Sequence, residues 1–136
     1  IANRLNKPIV IHTRDAAVDT IEILKQYPVN KKGIFHCCPL NQELIKEGLK
    51  LGFYISFSGN ITFKNAKSEA CVGLVPMDKI LIETDCPYLS PEPYRGKRND
   101  STKVKLVAEK IAQIKGMPLE AVAKQTYENA NCIFNI

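Results

Sequence analysis

The sequence predicts an α/β fold in which parallel strands alternate with helices. Four short apolar runs are each followed by a segment with helical periodicity. This alternation is typical of parallel sheets. The length of 136 residues suits a single domain, and no repeat or low-complexity segment interrupts the alternation.

The four strands are predicted from short runs rich in β-branched or aromatic residues. These runs are residues 8–11, 33–35, 53–57 and 79–82. Before the first of them, Ile1, Ala2 and Leu5 lie on one face of a helical end that Pro8 follows. Because natural domains rarely begin inside a helix, we expect an upstream part of the protein to be missing.

The connecting helices are predicted from apolar residues at helical spacing. Residues 15–27 form the first, with Pro28 as its stop, and residues 41–51 form the second, with Gly52 placed to cap its end. A short helix is predicted at residues 65–74. The expected core positions of the first two are Val18, Ile21, Leu24, Leu44, Ile45, Gly48 and Leu49.

The carboxyl-terminal third is predicted as a loop and two helices. Residues 87–100 are polar and proline-rich without periodicity, and Ser101 is a candidate N-cap for the helix that follows. That helix ends at Gly116, and Pro118 opens the last one. The expected core positions are Val104, Val107, Ala108, Ile111 and Ile114 in one helix, and Leu119, Val122, Ala123, Thr126 and Ala130 in the other.

The composition excludes several classes of protein. Hydrophobic residues make up 45% and charged residues 24%, as in ordinary globular domains. No apolar run is long enough for a membrane span, and no targeting signal is visible. The five cysteines include no C-x-x-C pair, so we expect reduced thiols in a cytoplasmic protein. The net charge of +5 weakly favours a polyanionic partner.

Side chains of the metal-binding type follow three of the four strands. His12 follows the first, His36 follows the second, and Asp85 lies just after the fourth. Parallel α/β folds build active sites at this end of the strands, and imidazole and carboxylate bind zinc, manganese or magnesium. Each residue taken alone is more often structural, and Asp85 could simply start a turn at Pro87. From spacing alone both readings stay open.

Five segments resemble, in order, motifs of the TatD hydrolases. The resemblance covers nearly the whole chain and depends on several motifs rather than one. The matching segments are IVIHTRDA at residues 9–16, FHC at 35–37, YISFSGNITF at 54–63, LIETDCPYL at 81–89 and GKRN at 96–99.

The resemblance implies a fold and an activity. TatD proteins are (β/α)8 TIM-type barrels of the metal-dependent amidohydrolase type that hydrolyse phosphodiester bonds in DNA. Residues 1–136 would be a single partial domain, strands five to eight, with the amino-terminal half missing. The resemblance implies that His12 and His36 bind one divalent ion, and that Asp85 binds a second and helps to activate the attacking water. Mg²⁺, Mn²⁺ or Zn²⁺ would serve, and the DNA would be single-stranded or a 3′ end.

The chain also departs from the family pattern. The H-x-H motif of strand one and the bridging glutamate of strand four have no counterpart. Residues 36–40 read HCCPL where the family has H-C-F-S-G, so the loop after this strand differs. Residues 99–101 read NDS in place of N-E-P, which can still cap the next helix.

Basic residues near these motifs are candidates for phosphate binding. Arg14 could hold a phosphate or pair with Asp15 or Glu22. Lys97 and Arg98 could contact the DNA backbone or form a solvated loop.

Three further residues have two readings each. Glu83 could hold a metal ligand in place or form a buried salt bridge. Tyr88 and Tyr94 could stack on a base, although packing is the favoured reading.

Half of a barrel would expose its edge strands. We therefore expect association with the missing half or with a second copy, and negligible nuclease activity of the isolated chain. Two alternatives stay open: an amidohydrolase-type enzyme for a small ester or amide, and a non-catalytic interaction module.

Overall fold

The computed structural model describes residues 1–136 and contains one four-stranded sheet. The strands are β1 (Ile9–Ile11), β2 (Gly33–Phe35), β3 (Tyr54–Phe57) and β4 (Ile80–Ile82), in the spatial order β1-β2-β3-β4. All neighbouring strands run parallel. The prediction of parallel strands alternating with helices is confirmed.

Six helices connect or follow these strands. They are α1 (Ala2–Leu5), α2 (Ala17–Gln26), α3 (Gln42–Lys50), α4 (Ser68–Leu74), α5 (Val104–Lys115) and α6 (Leu119–Phe134). Short 3₁₀ turns occupy Gly59–Thr62, Met77–Lys79 and Ser101–Lys103. None of the helices has both the length and the apolar character needed to cross a membrane.

Helix α3 has well-defined boundaries because capping interactions are present at both of its ends. At its start, the Asn41 side chain accepts hydrogen bonds from the backbone N–H groups of Glu43 and Leu44. At its end, Gly52 has a φ of 86°, and the Phe53 N–H donates to the Gly48 carbonyl at 3.0 Å. This is a Schellman ending, which requires a left-handed residue. The predicted role of Gly52 is confirmed.

The prediction that Ser101 is the N-cap is wrong. Asp100 caps instead, because its carboxylate accepts from the Thr102 N–H at 3.0 Å. Ser101 lies inside the 3₁₀ turn, and α5 begins only at Val104. A charged carboxylate is a stronger acceptor for free N–H groups than a hydroxyl.

Two predicted core positions are also wrong. Val18 is 69% exposed, because it lies on the wall of an open groove between α2 and α3. Ala123 is exposed, because the buried face of α6 runs through Val122, Thr126 and Asn129. Asn129 escaped the apolar pattern; its amide donates to the carbonyls of Met77 and Ile80 at 2.7 and 2.8 Å.

The two faces of the sheet have different neighbours. One face packs against the helices in a core of 19 buried residues that includes Phe35, Ile55 and Ile80. On the other face, Ile34, Tyr54 and Leu81 contact Ala130 and Ile133 of α6. Successive side chains of a strand point to opposite faces. Residues two positions beyond Ile34, Tyr54 and Leu81 therefore belong to this second face.

Candidate metal centre

The strand pattern delivers the candidate ligands to one edge of the second face. His36 lies two positions after Ile34, and Glu83 lies two positions after Leu81. Strand pairing continues past the strand ends, since the His36 N–H donates to the Ile11 carbonyl at 2.9 Å and the Glu83 N–H donates to the Phe57 carbonyl at 3.0 Å. These bonds fix the height of both side chains at the carboxyl end of the sheet.

The His36 ring lies between two carboxylates of the segment after β4. Its Nδ1 is 2.8 Å from Glu83 Oε1, and its Nε2 is 3.5 Å from Asp85 Oδ1. About a quarter of each of the three side chains is exposed: 26% for His36, 23% for Glu83 and 29% for Asp85. The centre is therefore partly shielded from water yet still reachable.

Only one of the two carboxylate oxygens of Glu83 accepts a hydrogen bond. The Ser56 hydroxyl donates to Glu83 Oε2 at 2.9 Å. Glu83 Oε1 is buried and has no hydrogen-bond partner, and it lies 2.8 Å from His36 Nδ1. Glu83 has no lysine or arginine partner, and its one ion-pair contact is with His36.

His12 stands beside His36. The centroids of the two imidazole rings are 5.7 Å apart, with 38° between the ring planes. The chain beyond His12 is anchored by Thr13, which is 6% exposed and whose hydroxyl lies 3.0 Å from that of Thr20. His12 itself is exposed, so its ring can move without disturbing the core.

Asp85 is positioned by an unusual backbone and by a distant asparagine. Its φ is 55°, a left-handed conformation that non-glycine residues adopt at a cost of ~1–3 kcal/mol. Asn99, only 3% exposed, donates from its amide to the carbonyls of Thr84 and Tyr88 at 2.7 Å each. Motif spacing missed this role of Asn99, and only its polarity within the GKRN segment could have suggested it.

The donor set suits a divalent ion although it is incomplete. No group of three or more His, Cys, Asp or Glu side chains is close enough to hold an ion by itself. His36 Nε2 and Asp85 Oδ1 lie 3.5 Å apart, and imidazole and carboxylate are both common ligands of divalent ions. The unsatisfied Glu83 oxygen beside Nδ1 is the kind of partner that orients a ligating histidine.

Cys37 borders the same centre. Its sulfur is 3.0 Å from the Ser58 hydroxyl. Burial raises the pKa of this thiol, the Ser58 contact and Arg14 lower it, and the carboxylates of Asp85 and Glu83 raise it further. The HCCPL segment therefore places a neutral thiol beside the centre. Its neighbour Cys38 is buried, which raises the pKa of that thiol to about 12.

The basic residues lie outside direct contact with the centre. Arg14, Lys97 and Arg98 are exposed, and none forms a hydrogen bond or ion pair with His12, His36 or Asp85. Arg14 also pairs with neither Asp15 nor Glu22, so that structural reading is wrong.

The two tyrosines of the loop behave differently. Tyr88 is 72% exposed, so the favoured packing reading is wrong for it. Tyr94 is 43% exposed, and its ring lies 5.6 Å from the Lys103 ammonium.

The fold and these side chains define an α/β protein with a candidate metal centre at the carboxyl edge of a parallel sheet. The family model described as "TatD related DNase" matches residues 1–135. The chain belongs to this family, and the resemblance seen in its motifs is confirmed.

Two curated relatives align with the whole chain and are identical to it at nearly half of the aligned positions. The "uncharacterized metal-dependent hydrolase YabD" of Bacillus subtilis (strain 168) is 48% identical over 138 residues, which cover 100% of this chain and 54% of the relative. The "uncharacterized metal-dependent hydrolase YcfH" of Escherichia coli (strain K12) is 45% identical, over 100% of this chain and 52% of the relative. The chain spans about half the length of the curated relatives it matches.

A solved structure shares the fold. The crystal structure of YJJV, a TatD homologue from Escherichia coli K12, superposes with a TM-score of 0.93 at 22% identity, covering 99% of this chain and 52% of that one.

Proposed function

We propose that residues 1–136 form strands five to eight of a (β/α)8 barrel, and that the complete barrel hydrolyses phosphodiester bonds in DNA with two divalent ions, Mg²⁺, Mn²⁺ or Zn²⁺. The observation that carries the proposal is the placement of His36 between Glu83 and Asp85, with His12 alongside. Membership of the TatD related DNase family and the metal-dependent relatives support it.

Each residue of the centre has a distinct proposed role. His12 and His36 hold one ion, and Asp85 holds the other. When bound, such ions neutralise phosphate charge and lower the pKa of water. Asp85 accepts the proton of the attacking water, and Glu83, fixed by Ser56, keeps the His36 ring in its orientation.

The surroundings favour a single-stranded end of DNA as the substrate. Arg14, Lys97 and Arg98 are exposed and carry no carboxylate partner, so they are free to contact phosphates. Tyr88 is 72% exposed in the loop that also carries Lys97, where it can stack on an unpaired base. The five free cysteines support the proposed cytoplasmic location.

The incomplete ligand set argues that the isolated chain is nearly inactive. β1 and β4 each have one hydrogen-bonded neighbour, so both are open edges for an amino-terminal half or a second copy to pair with. The three candidate ligands supply only one side of a two-ion centre. Completion of the barrel would add the H-x-H and glutamate ligands of the family pattern.

Degradation of end-labelled single-stranded DNA with Mg²⁺ or Mn²⁺ tests the proposal. We expect turnover by a chain that joins residues 1–136 to an amino-terminal half with those ligands, loss of turnover on His36→Ala, and no turnover by residues 1–136 alone. Robust degradation by the isolated chain would contradict the half-barrel proposal. A complete form that holds no divalent ion near His12 and His36 would favour the non-catalytic module.

The salt dependence of DNA binding separates DNA from a small ester or amide as substrate. The double variant Lys97→Ala/Arg98→Ala should weaken binding and flatten its salt dependence, by about 0.7 in log–log slope for each lost contact with a single strand. The control Lys105→Ala/Lys124→Ala removes the same charge from the exposed faces of α5 and α6. Equal slopes in both variants would favour the small substrate.

A further inference from the structure

Lysines precede three of the four strands. Lys7 lies two positions before β1, Lys31 and Lys32 directly precede β2, and Lys79 directly precedes β4. Because the strands are parallel, the residues before them meet at one edge of the sheet. This is the amino edge, opposite to the edge that carries His12, His36 and Asp85.

The four lysines line a single cavity. Its volume is about 550 Å³, within the range of small-molecule sites. Its walls also include Tyr54 on the second face of the sheet and Ile133 and Phe134 at the end of α6. The cavity therefore combines several ammonium groups with an apolar wall.

No ion pair neutralises these four charges, and a nearby carboxylate is that of Asp78, which acts on Tyr54 at the same edge. Lys7, Lys31, Lys32 and Lys79 form no ion pair, whereas lysines on α2, α3, α5 and α6 do. Four like charges around one cavity repel each other unless an anion lies between them. Binding of an external anion would relieve this repulsion.

One of the lysines is held in place. The Lys79 ammonium lies 4.4 Å from the centroid of the Tyr54 ring. Side chains ordered before binding lose less conformational entropy when a ligand arrives.

We propose that this cavity, which we name the amino-edge cavity (Lys7, Lys31, Lys32, Lys79 and Tyr54), binds a small anion with two or more phosphate groups. Inorganic polyphosphate and the phosphate chain of a nucleotide share this chemistry. Ammonium groups act as point charges toward phosphate, and the apolar wall can accept the nucleoside part. The site is separate from the candidate metal centre and needs no divalent ion.

Calorimetric titration of the 136-residue chain with tripolyphosphate, and separately with ATP, both in EDTA, tests the proposal. We expect saturable one-to-one binding that Lys7→Gln/Lys31→Gln weakens at least tenfold. Both side chains are exposed and make no hydrogen bonds, so the fold should persist. Lys105→Gln/Lys124→Gln removes the same charge elsewhere and should change the affinity less than twofold. Equal affinities for tripolyphosphate and ATP would show that the phosphates alone are recognised. Tighter binding of ATP would show that the apolar wall also contacts the nucleoside.

Three results would overturn the proposal. The first is no binding of either ligand at millimolar concentration. The second is an equal loss of affinity in both double variants, which would indicate net charge rather than a site. The third is binding of a DNA oligonucleotide that Lys7→Gln/Lys31→Gln weakens while tripolyphosphate does not bind, which would make this edge a nucleic-acid surface. Because EDTA removes divalent ions, failure here leaves the proposed hydrolase function unaffected.

Discussion

Glu83 Oε1 lies 2.8 Å from Nδ1 of His36, on the side of the ring opposite to Asp85. The two carboxylates are two positions apart in the segment after β4. One short stretch of chain therefore contacts both nitrogens of the imidazole that follows β2. The orientation of His36 therefore depends on the position of β4 relative to β2.

Replacing Glu83 should weaken metal binding more than it weakens the fold. Glu83→Gln removes the charge that faces His36 Nδ1 but keeps the shape of the side chain. We expect a loss of 10–100-fold in divalent-ion affinity, measured by competition with a chelating dye. Glu128→Gln on the exposed face of α6 is the control and should have no effect. An unchanged affinity in Glu83→Gln would show that Glu83 does not orient the ligand.

Asn99 and Asn129 form a matched pair at opposite ends of the sheet. Each is buried and donates two amide hydrogen bonds to backbone carbonyls, Asn99 to Thr84 and Tyr88, Asn129 to Met77 and Ile80. Either change to Ala should lower the free energy of unfolding by about 2 kcal/mol, because buried acceptors lose their donor. Urea denaturation measures this effect.

Only Asn99→Ala should also affect the metal centre, since it releases the loop that begins at Asp85. We expect faster proteolysis within residues 85–99 and weaker ion binding in that variant alone. Weaker ion binding in Asn129→Ala as well would indicate a general loss of stability instead.

Gly59 leaves room for the loop after Asp85. A Cβ at this position would overlap the Leu89 carbonyl oxygen and crowd Pro91. Gly59→Ala should therefore destabilise the protein by about 1–3 kcal/mol, measured by urea denaturation. Gly73→Ala is the control, because its Cβ meets open space and alanine favours the helix by about 1 kcal/mol. Equal stability of the two variants would contradict the close approach.

Asp100 should contribute to stability in a defined pH window. Hydrogen bonds from Lys103 and Thr102 lower its pKa from 3.8 to about 2. A carboxylate with a lowered pKa stabilises the fold above its ordinary pKa and loses that contribution as the pH falls through the lowered value. The stability difference between wild type and Asp100→Asn should be constant from pH 5 to 7 and shrink between pH 4 and 2. Because Asp100 is exposed, salt should reduce the difference at neutral pH. A difference that is flat down to pH 2 would contradict the ion pair with Lys103.

The sequence predicted the sheet well because its strands are short, apolar and separated by strong helix signals. The boundaries of β2 match the prediction, and Gly52 could be recognised because a left-handed helix ending favours glycine. Val18 and Ala123 failed for another reason. Helical spacing defines a wide apolar stripe, and only neighbouring helices decide which edge of it is covered.

The candidate site was less accessible to sequence reasoning. Spacing brought His12, His36 and Asp85 to one edge, and the structure places them there. Their roles as metal ligands remain proposals. The contact between Glu83 and His36 and the support from Asn99 depend on side-chain direction and loop closure across 11 to 47 positions of chain, which local patterns do not encode.

The edge position of β1 has a consequence for the behaviour of the 136-residue chain in solution. Both histidines lie at strand ends, but β2 is flanked on both sides while β1 has a single neighbour and an outward Val10 that is 61% exposed. Edge strands unfold locally more often than central strands do. Any ligand that bridges His12 and His36 would link the edge strand β1 to the central strand β2. Amide hydrogen exchange in β1 should therefore slow when the centre is occupied.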